Sequence, residues 1–179
     1  MKSLIYLLAF CFILLSGCAK DTLEDETGDL KKAMVTKPMK AWFCMTPNPD
    51  LPPIHIANTP DVPENYMPGG AFISGHATHC GEVISSLSPS TMTELYFDVA
   101  HFMDTGEMRI VQKATGRITA ANGDSYRFTT TCYISMADMT FTGPVYMDDG
   151  TGKFKGMTGT VEMTGQGNCW TAEGFITYN

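Results

Sequence analysis

The chain has 179 residues, of which 12 are Lys or Arg and 19 are Asp or Glu, so its formal net charge at pH 7 is −7. Affinity for nucleic acid comes mostly from neutralised phosphates, so an acidic chain with few clustered basic residues makes a poor partner, and we predict no nucleic-acid binding. The length is that of one domain behind an N-terminal leader.

The N-terminus has the layout of a secretory signal. Lys2 precedes an apolar run from Leu4 to Leu15, and the small residues of "LLSGC" close it. The run has about 12 residues, whereas a helix that spans the ~30 Å hydrocarbon layer needs about 20. We therefore predict residues 1–17 as a signal peptide rather than a permanent transmembrane helix.

The stretch "LSGC" resembles the bacterial lipobox, in which signal peptidase cuts before the cysteine and acyl chains are placed on it. The resemblance implies cleavage after Gly17 and lipidation of Cys18; the alternative is an ordinary signal with a chance cysteine. Two or more acyl chains hold a protein stably on a bilayer, so the lipid bilayer is the predicted partner of Cys18. The predicted location is the bacterial cell envelope, at the outer membrane. The following "AKDTLEDE" has the general character of the surface-export signal of Bacteroidetes lipoproteins, which predicts surface exposure.

Residues 18–38 are polar and charged and contain no Phe, Tyr or Trp. Such a composition cannot seed a core, so we predict a flexible acidic tether over this range. The remaining residues, 39–179, are predicted to form a single β-barrel domain.

From Lys40 onward, short stretches with period-two alternation recur, which is typical of strands. In "TELYFDV", for example, Leu95, Phe97 and Val99 share a face, and in "YRFTTTCYI" so do Tyr126 and Phe128. Turn signals separate the stretches, the strongest being "NGD" at 122–124. They predict eight strands, near 40–46, 71–85, 92–101, 108–120, 125–135, 139–147, 157–164 and 169–178. Many short strands joined by hairpins indicate a closed antiparallel barrel or a sandwich.

Four motifs narrow this choice: "GHATHCGE" (75–82), "GRITAANGDSYRF" (116–128), "GTGKFKGMTGTVEMTG" (150–165) and "EGFITY" (173–178). They resemble a family of small secreted bacterial barrels that is similar to the allene-oxide-cyclase and dirigent type. The resemblance implies an all-β, antiparallel, up-and-down eight-stranded barrel. The chain departs from the family pattern at Asp149, Lys153 and Met157. These motifs are mainly turn and packing signatures, so they transfer fold more safely than chemistry.

Four cysteines remain when Cys11 is lost with the signal and Cys18 is acylated, and an even number in an exported chain suggests disulfides. They are Cys44, Cys80, Cys132 and Cys169. The first and last strands of a closed barrel are neighbours, which favours Cys44–Cys169 and leaves Cys80–Cys132. The main rival is Cys44–Cys80, and four buried thiols are a further alternative.

The histidines of "GHATHC" suggest a metal site. If the segment is a strand, however, its extended conformation keeps these side chains apart. On a strand His76 and Cys80 point one way and His79 the other, with about 13 Å between the first two. Zinc needs its ligands within ~2.0–2.3 Å, so we predict no metal site there. His79 matches the histidine of the family's Ala-Thr-His stretch. We consider it either a ring bonded to backbone or the candidate for ligand contact.

Other chemistry is sparse, since no Gly-x-Ser-x-Gly elbow, P-loop or His-Glu-x-x-His motif occurs. We predict no catalytic residue and no cofactor. The expected function is that of a membrane-tethered lipoprotein whose barrel is a non-enzymatic small-ligand-binding or surface interaction module. The alternative is a cofactor-independent cyclase or isomerase acting on an apolar small molecule in the barrel, as in the plant relatives of this barrel. An open apolar pocket would favour ligand chemistry, and a solidly packed barrel a structural role.

Overall fold

The structure, a computed structural model, describes residues 34–179, so the predicted signal peptide, Cys18 and most of the predicted tether lie outside the described residues. The strands are β1 (Val35–Pro47), β2 (Ile54–His55), β3 (Tyr66–Met67), β4 (Gly70–Ala77), β5 (Gly81–Glu82), β6 (Pro89–Phe97), β7 (Arg109–Thr119), β8 (Ser125–Ser135), β9 (Thr140–Asp148), β10 (Met157–Gln166) and β11 (Cys169–Tyr178). The helix α1 covers Val99–Thr105, and short 3-10 turns cover Pro63–Asn65, Ser85–Leu87 and Gly152–Phe154. No helix in the described range is long and apolar enough to cross a membrane.

Eight of the strands close into a ring by antiparallel pairing. Their order around the ring is β1-β11-β10-β9-β8-β7-β6-β4, and β4 pairs back with β1. Side chains alternate between the two faces of a strand, so every second residue enters the interior and forms the core. The predicted all-β, antiparallel, up-and-down eight-stranded barrel is confirmed. Its first strand begins at Val35, so β1 includes the last four residues predicted as tether.

The strand predicted over 71–85 is too long. β4 ends at Ala77, the chain turns over Thr78–Cys80, and β5 returns to place Gly81 opposite Ala77. His79 has a left-handed backbone, with φ of 66°, and Gly81 follows with 77°. Two positive φ angles so close together bend the chain sharply, which an extended strand does not allow. The predicted separation of about 13 Å between His76 and Cys80 assumed a continuous strand and is therefore not valid.

The strand predicted over 92–101 is also too long, because α1 replaces its end. The Asp98 carboxylate accepts a hydrogen bond from the His101 amide at 3.0 Å and caps the helix, and Gly106 ends it with φ of 76°. These are the residue types that start and stop helices. Val99, predicted to share the inner face of Leu95, is instead 46% exposed on α1.

One end of the barrel, the closed end, is sealed by two of the motifs quoted above. The amide of Thr151 donates to the Ser125 carbonyl at 2.7 Å, and the amide of Lys153 donates to the Asp124 carboxylate at 3.2 Å. This loop carries Phe154, which is 1% exposed and lies edge-on to the ring of Tyr126, with 5.1 Å between ring centroids. The motifs therefore build a floor to the barrel.

The opposite end, the open end, carries the disulfide. Cys44 lies opposite Cys169 in the register of β1 with β11, and the two are bonded. The pairing predicted from strand adjacency is confirmed, and the rival Cys44–Cys80 is excluded because Cys44 is already bonded.

The predicted Cys80–Cys132 bridge is wrong, because both thiols are free and buried. Cys80 lies close enough to Tyr126, at the closed end, to raise the pKa of that phenol, after the larger effect of burial. Cys132 is six residues further along β8, which is about 20 Å at ~3.3 Å per residue. A disulfide needs its Cα atoms within ~4.4–6.8 Å, so the two thiols cannot meet.

The ring is weakest between β4 and β6, which pair over only three positions, from Gly70 with Thr91 to Phe72 with Pro89. Beyond these three pairs, Ala57 forms backbone hydrogen bonds with the edge of β6 that β4 leaves unpaired. The Ala57 amide donates to the Leu95 carbonyl, and the Ala57 carbonyl accepts from the Phe97 amide, both at 2.9 Å. The predicted long loop between the first two ring strands thus completes the wall, and its β2–β3 hairpin brings Met67 against the core.

Candidate functional site

The interior of the barrel contains a cavity of about 120 Å³. All eight ring strands contribute to its lining, which is mostly apolar. The size is comparable with that of the apolar cavity of about 150 Å³ that binds benzene or xenon in an engineered protein. Six methionines take part: Met39, Met45, Met67, Met139, Met147 and Met163. Met is flexible and polarizable, so it adapts to ligands of different shape.

The cavity reaches the surface at the open end. Of the side chains that line it, Met139 is 46% exposed, in the turn between β8 and β9, and Trp170 is half-buried. Towards the closed end the lining residues Ile118 and Tyr126 are only 3% and 2% exposed. The solvent-exposed part of the lining therefore lies beside Met139, and the floor around Phe154 closes the other end.

Apart from the indole N–H of Trp170 on β11, the polar side-chain groups of the lining share one wall, formed by the adjacent strands β6, β7 and β8. They are Ser90, Gln112, Tyr126, Thr130 and Cys132. The facing wall, from β9, β10, β11 and β1, presents apolar side chains such as Phe141, Met163 and Phe43. In the register of β7 with β8, Gln112 lies directly opposite Cys132. The cavity therefore has one polar side and one apolar side.

The titratable groups of this wall are neutral near neutral pH. Burial raises the pKa of the Cys132 thiol to about 12. Burial, and then the neighbouring Cys80 and Tyr178, raise the pKa of Tyr126 above its usual value. A general acid or base works best when its pKa lies near the operating pH, so neither group suits that role. No Asp, Glu, Lys, Arg or His in residues 34–179 lines the cavity.

The histidine and cysteine stretch of the sequence lies elsewhere. His79 is exposed in the turn after β4, and its Nε2 is 3.1 Å from the Pro38 carbonyl of β1. It is not among the side chains that line the cavity. This geometry corresponds to the alternative of a ring bonded to backbone. Within residues 34–179 no group of three His, Cys, Asp or Glu side chains could hold a metal ion.

The sequence did not single out Gln112 or Met67 as site residues. Gln112 sits at an inward position of a strand that was predicted correctly, so its alternation with Val111 and Lys113 was a usable signal. Met67 carried no such signal, because it reaches the cavity from a hairpin inside a proline-rich connection.

Comparisons with protein-family models, with curated proteins and with solved structures gave no match. The resemblance to the allene-oxide-cyclase and dirigent type of barrel therefore stays a prediction from the four motifs. The barrel fold is established by its strand pairing, and the cavity is the main candidate for its functional site.

Proposed function

We propose that this protein is an exported lipoprotein, anchored in the bacterial cell envelope through acylated Cys18, whose barrel binds a small apolar molecule without transforming it. The observation that carries the proposal is the apolar cavity that opens beside Met139. An eight-stranded barrel is just wide enough to be filled by its own side chains or to hold one small ligand. This barrel keeps space in its interior, which favours the second use.

Two features of the barrel support export and tethering. The Cys44–Cys169 disulfide suits an oxidising compartment, where such bonds form and persist. β1 begins at the closed end, where Val35 pairs with Tyr178, and Tyr178 in turn with Met157 of β10. The chain that precedes Val35 therefore joins the barrel at the end opposite Met139.

The alternative is a cyclase or isomerase that works by shape on an apolar substrate. An apolar cavity with one polar wall is a suitable place for such a reaction. Binding is the better-supported function, because no lining group in the described part of the chain exchanges protons near neutral pH, and binding needs none.

Filling the cavity tests the binding proposal. Ala172 lines the cavity and is 2% exposed, so Ala172→Leu places three extra carbons in the space that a ligand would occupy. We expect toluene to bind the full-length protein in calorimetry and to lose measurable binding in Ala172→Leu. The neighbouring Thr171 is exposed, so Thr171→Leu is the matched control and should bind toluene normally. If toluene fails to bind the unaltered protein, the proposal is wrong.

The anchor is tested separately by fractionation. We expect Cys18→Ser to release the protein from membranes after a carbonate wash, because no acyl chain can then be attached. Cys11→Ser is the control, since Cys11 lies inside the predicted signal peptide. A Cys18→Ser protein that still pellets with membranes would contradict the lipid anchor.

A further inference from the structure

Within residues 34–179 no charged side chain lines the cavity to pair with a ligand charge. Among residues 34–179 its polar lining consists of two hydroxyl side chains, a carboxamide, a phenol, a thiol and the indole N–H of Trp170, all uncharged at neutral pH. Burying an ionised group without a partner is costly, so the group either stays in water or neutralises. A carboxylate or an ammonium ion would therefore be excluded from this site.

Two of the polar groups already use their hydrogens within the fold. The Ser90 hydroxyl donates to the Ala71 carbonyl at 3.0 Å, and the Thr130 hydroxyl donates to the Pro144 carbonyl at 2.8 Å. Gln112 lines the cavity and is half-buried, and no hydrogen bond within residues 34–179 involves its side-chain carboxamide. A carboxamide offers two donors and one acceptor, so Gln112 can both give and receive a hydrogen bond.

The phenol of Tyr126 also lacks a partner within the described residues, but it belongs to another part of the cavity. In the register of β7 with β8, Gln112 pairs with Cys132 and Ile118 pairs with Tyr126. Six residues separate these pairs along each strand, which is about 20 Å. A molecule the size of benzene reaches only one of the two groups, and the opening beside Met139 lies at the Gln112 side.

We propose that the ligand is a neutral, mainly apolar molecule whose single polar group, an amide, carbonyl or hydroxyl, is hydrogen-bonded by the side chain of Gln112. Its apolar part lies against the facing wall of Phe141 and Met163. This inference rests on the proposed binding function and adds the chemical class of the ligand. It separates neutral amphipathic molecules from fatty-acid anions and from amines of similar size.

Four probes of nearly equal size test the inference by calorimetry on the full-length protein at pH 7: toluene, benzamide, benzoate and benzylamine. We expect benzamide to bind at least about tenfold more tightly than benzoate or benzylamine, because the last two carry a charge. This comparison needs no variant. Equal affinity for benzamide and benzoate would overturn the neutral-ligand class.

Gln112→Met keeps the size of the side chain and removes its hydrogen-bonding atoms. We expect it to weaken benzamide by about tenfold, the value of one good hydrogen bond, and to leave toluene within about twofold. Toluene binding also shows that the variant keeps its cavity. Lys113→Met changes the neighbouring residue of β7, which does not line the cavity, so it is the matched control and should leave benzamide within about twofold. Unchanged benzamide affinity in Gln112→Met, or an equal loss in Lys113→Met, would overturn the assignment to Gln112.

The outcomes also separate this inference from the proposed function. If toluene binds but benzamide shows no dependence on Gln112, the inference fails and the binding function stands. If none of the four probes binds, both fail.

Discussion

The two ends of the barrel are built in different ways. At the closed end residues 120–125 and the 148–156 loop are joined by backbone and carboxylate hydrogen bonds, and Phe154 fills the space beneath Tyr126. At the open end a disulfide joins β1 to β11, and the exposed Met139 lies beside the cavity. Local turn chemistry and packing close one end, while a covalent bond holds the other end together without filling it.

This difference is what a binding barrel needs. A plug such as Phe154 stabilises by occupying volume, and the same solution at the other end would remove the cavity. A disulfide stabilises by restricting the unfolded chain and occupies little of the interior. The predictions below test whether the closed end depends on the packing of Phe154 and the open end on the disulfide.

The largest expected effect is loss of the disulfide in the double variant Cys44→Ala, Cys169→Ala. The bond closes a loop with a sequence separation of 125, for which the chain-entropy model gives about 5 kcal/mol, although measured values are often lower. Denaturant unfolding with and without reductant measures it. Reductant should destabilise the unaltered protein and leave the variant unchanged; a loss below about 1 kcal/mol would contradict the role given to this bond.

Phe154→Ala should come next. Removing a buried aromatic side chain typically costs about 3–5 kcal/mol, and Phe154 is 1% exposed. The matched change at the open end is Phe102→Ala on α1, where the ring is 40% exposed and we expect a loss below about 1 kcal/mol. Comparable losses in the two variants would mean that the closed end is not the packed one.

A pair of glycines sharpens the contrast. Both have left-handed backbones, Gly152 with φ of 52° at the closed end and Gly167 with 63° at the open end. A Cβ on Gly152 would collide with the Asp124 carboxylate, whereas one on Gly167 would meet nothing within 4 Å. We expect Gly167→Ala to cost about 1 kcal/mol and Gly152→Ala about 2–3 kcal/mol in the free energy of unfolding. Equal costs would show that the closed-end loop yields easily.

The last effect concerns pH, and it appears only in alkaline solution. Burial raises the pKa of Cys80 to about 11, against an opposing effect of Lys153, and raises that of Cys132 to about 12. The unfolded chain ionises its thiols near pH 8.5–9, so above that pH the folded state binds more protons and its stability falls. Each thiol should contribute a loss of up to about 1.4 kcal/mol per pH unit, for Cys80 up to about pH 11. Cys80→Ala or Cys132→Ala should flatten the slope of stability measured from pH 9 to 11, and an unchanged slope would contradict their burial.

The closed end was largely predictable from the sequence. "AANGD" and "GTGKF" encode their turns locally, through Asn122, Gly123 and Gly152, and period-two alternation located all eight ring strands. Barrel closure made Cys44–Cys169 the first choice, since the first and last strands must be neighbours, but the register of β1 with β11 was needed to decide against the rival Cys44–Cys80.

The open end was less predictable. Helix α1 has a capping residue at each end, Asp98 and Gly106. The sequence prediction missed the helix, because the alternation of Leu95 and Phe97 was read on to residue 101 as a strand. The turn at Thr78–Cys80 depends on His79 adopting a positive φ, which a His seldom does. The cavity depends on how eight strands pack together, so no single segment contains it.

The account depends most on one claim, that the barrel holds an apolar cavity entered from the Met139 end. A crystal of the protein soaked in bromobenzene, with the bromine located by anomalous scattering, tests it directly. We predict a bromine peak inside the barrel, between the wall of Gln112 and Cys132 and the facing Phe141 and Met163. A barrel filled by its own side chains, with no bromine peak in its interior, would contradict the account.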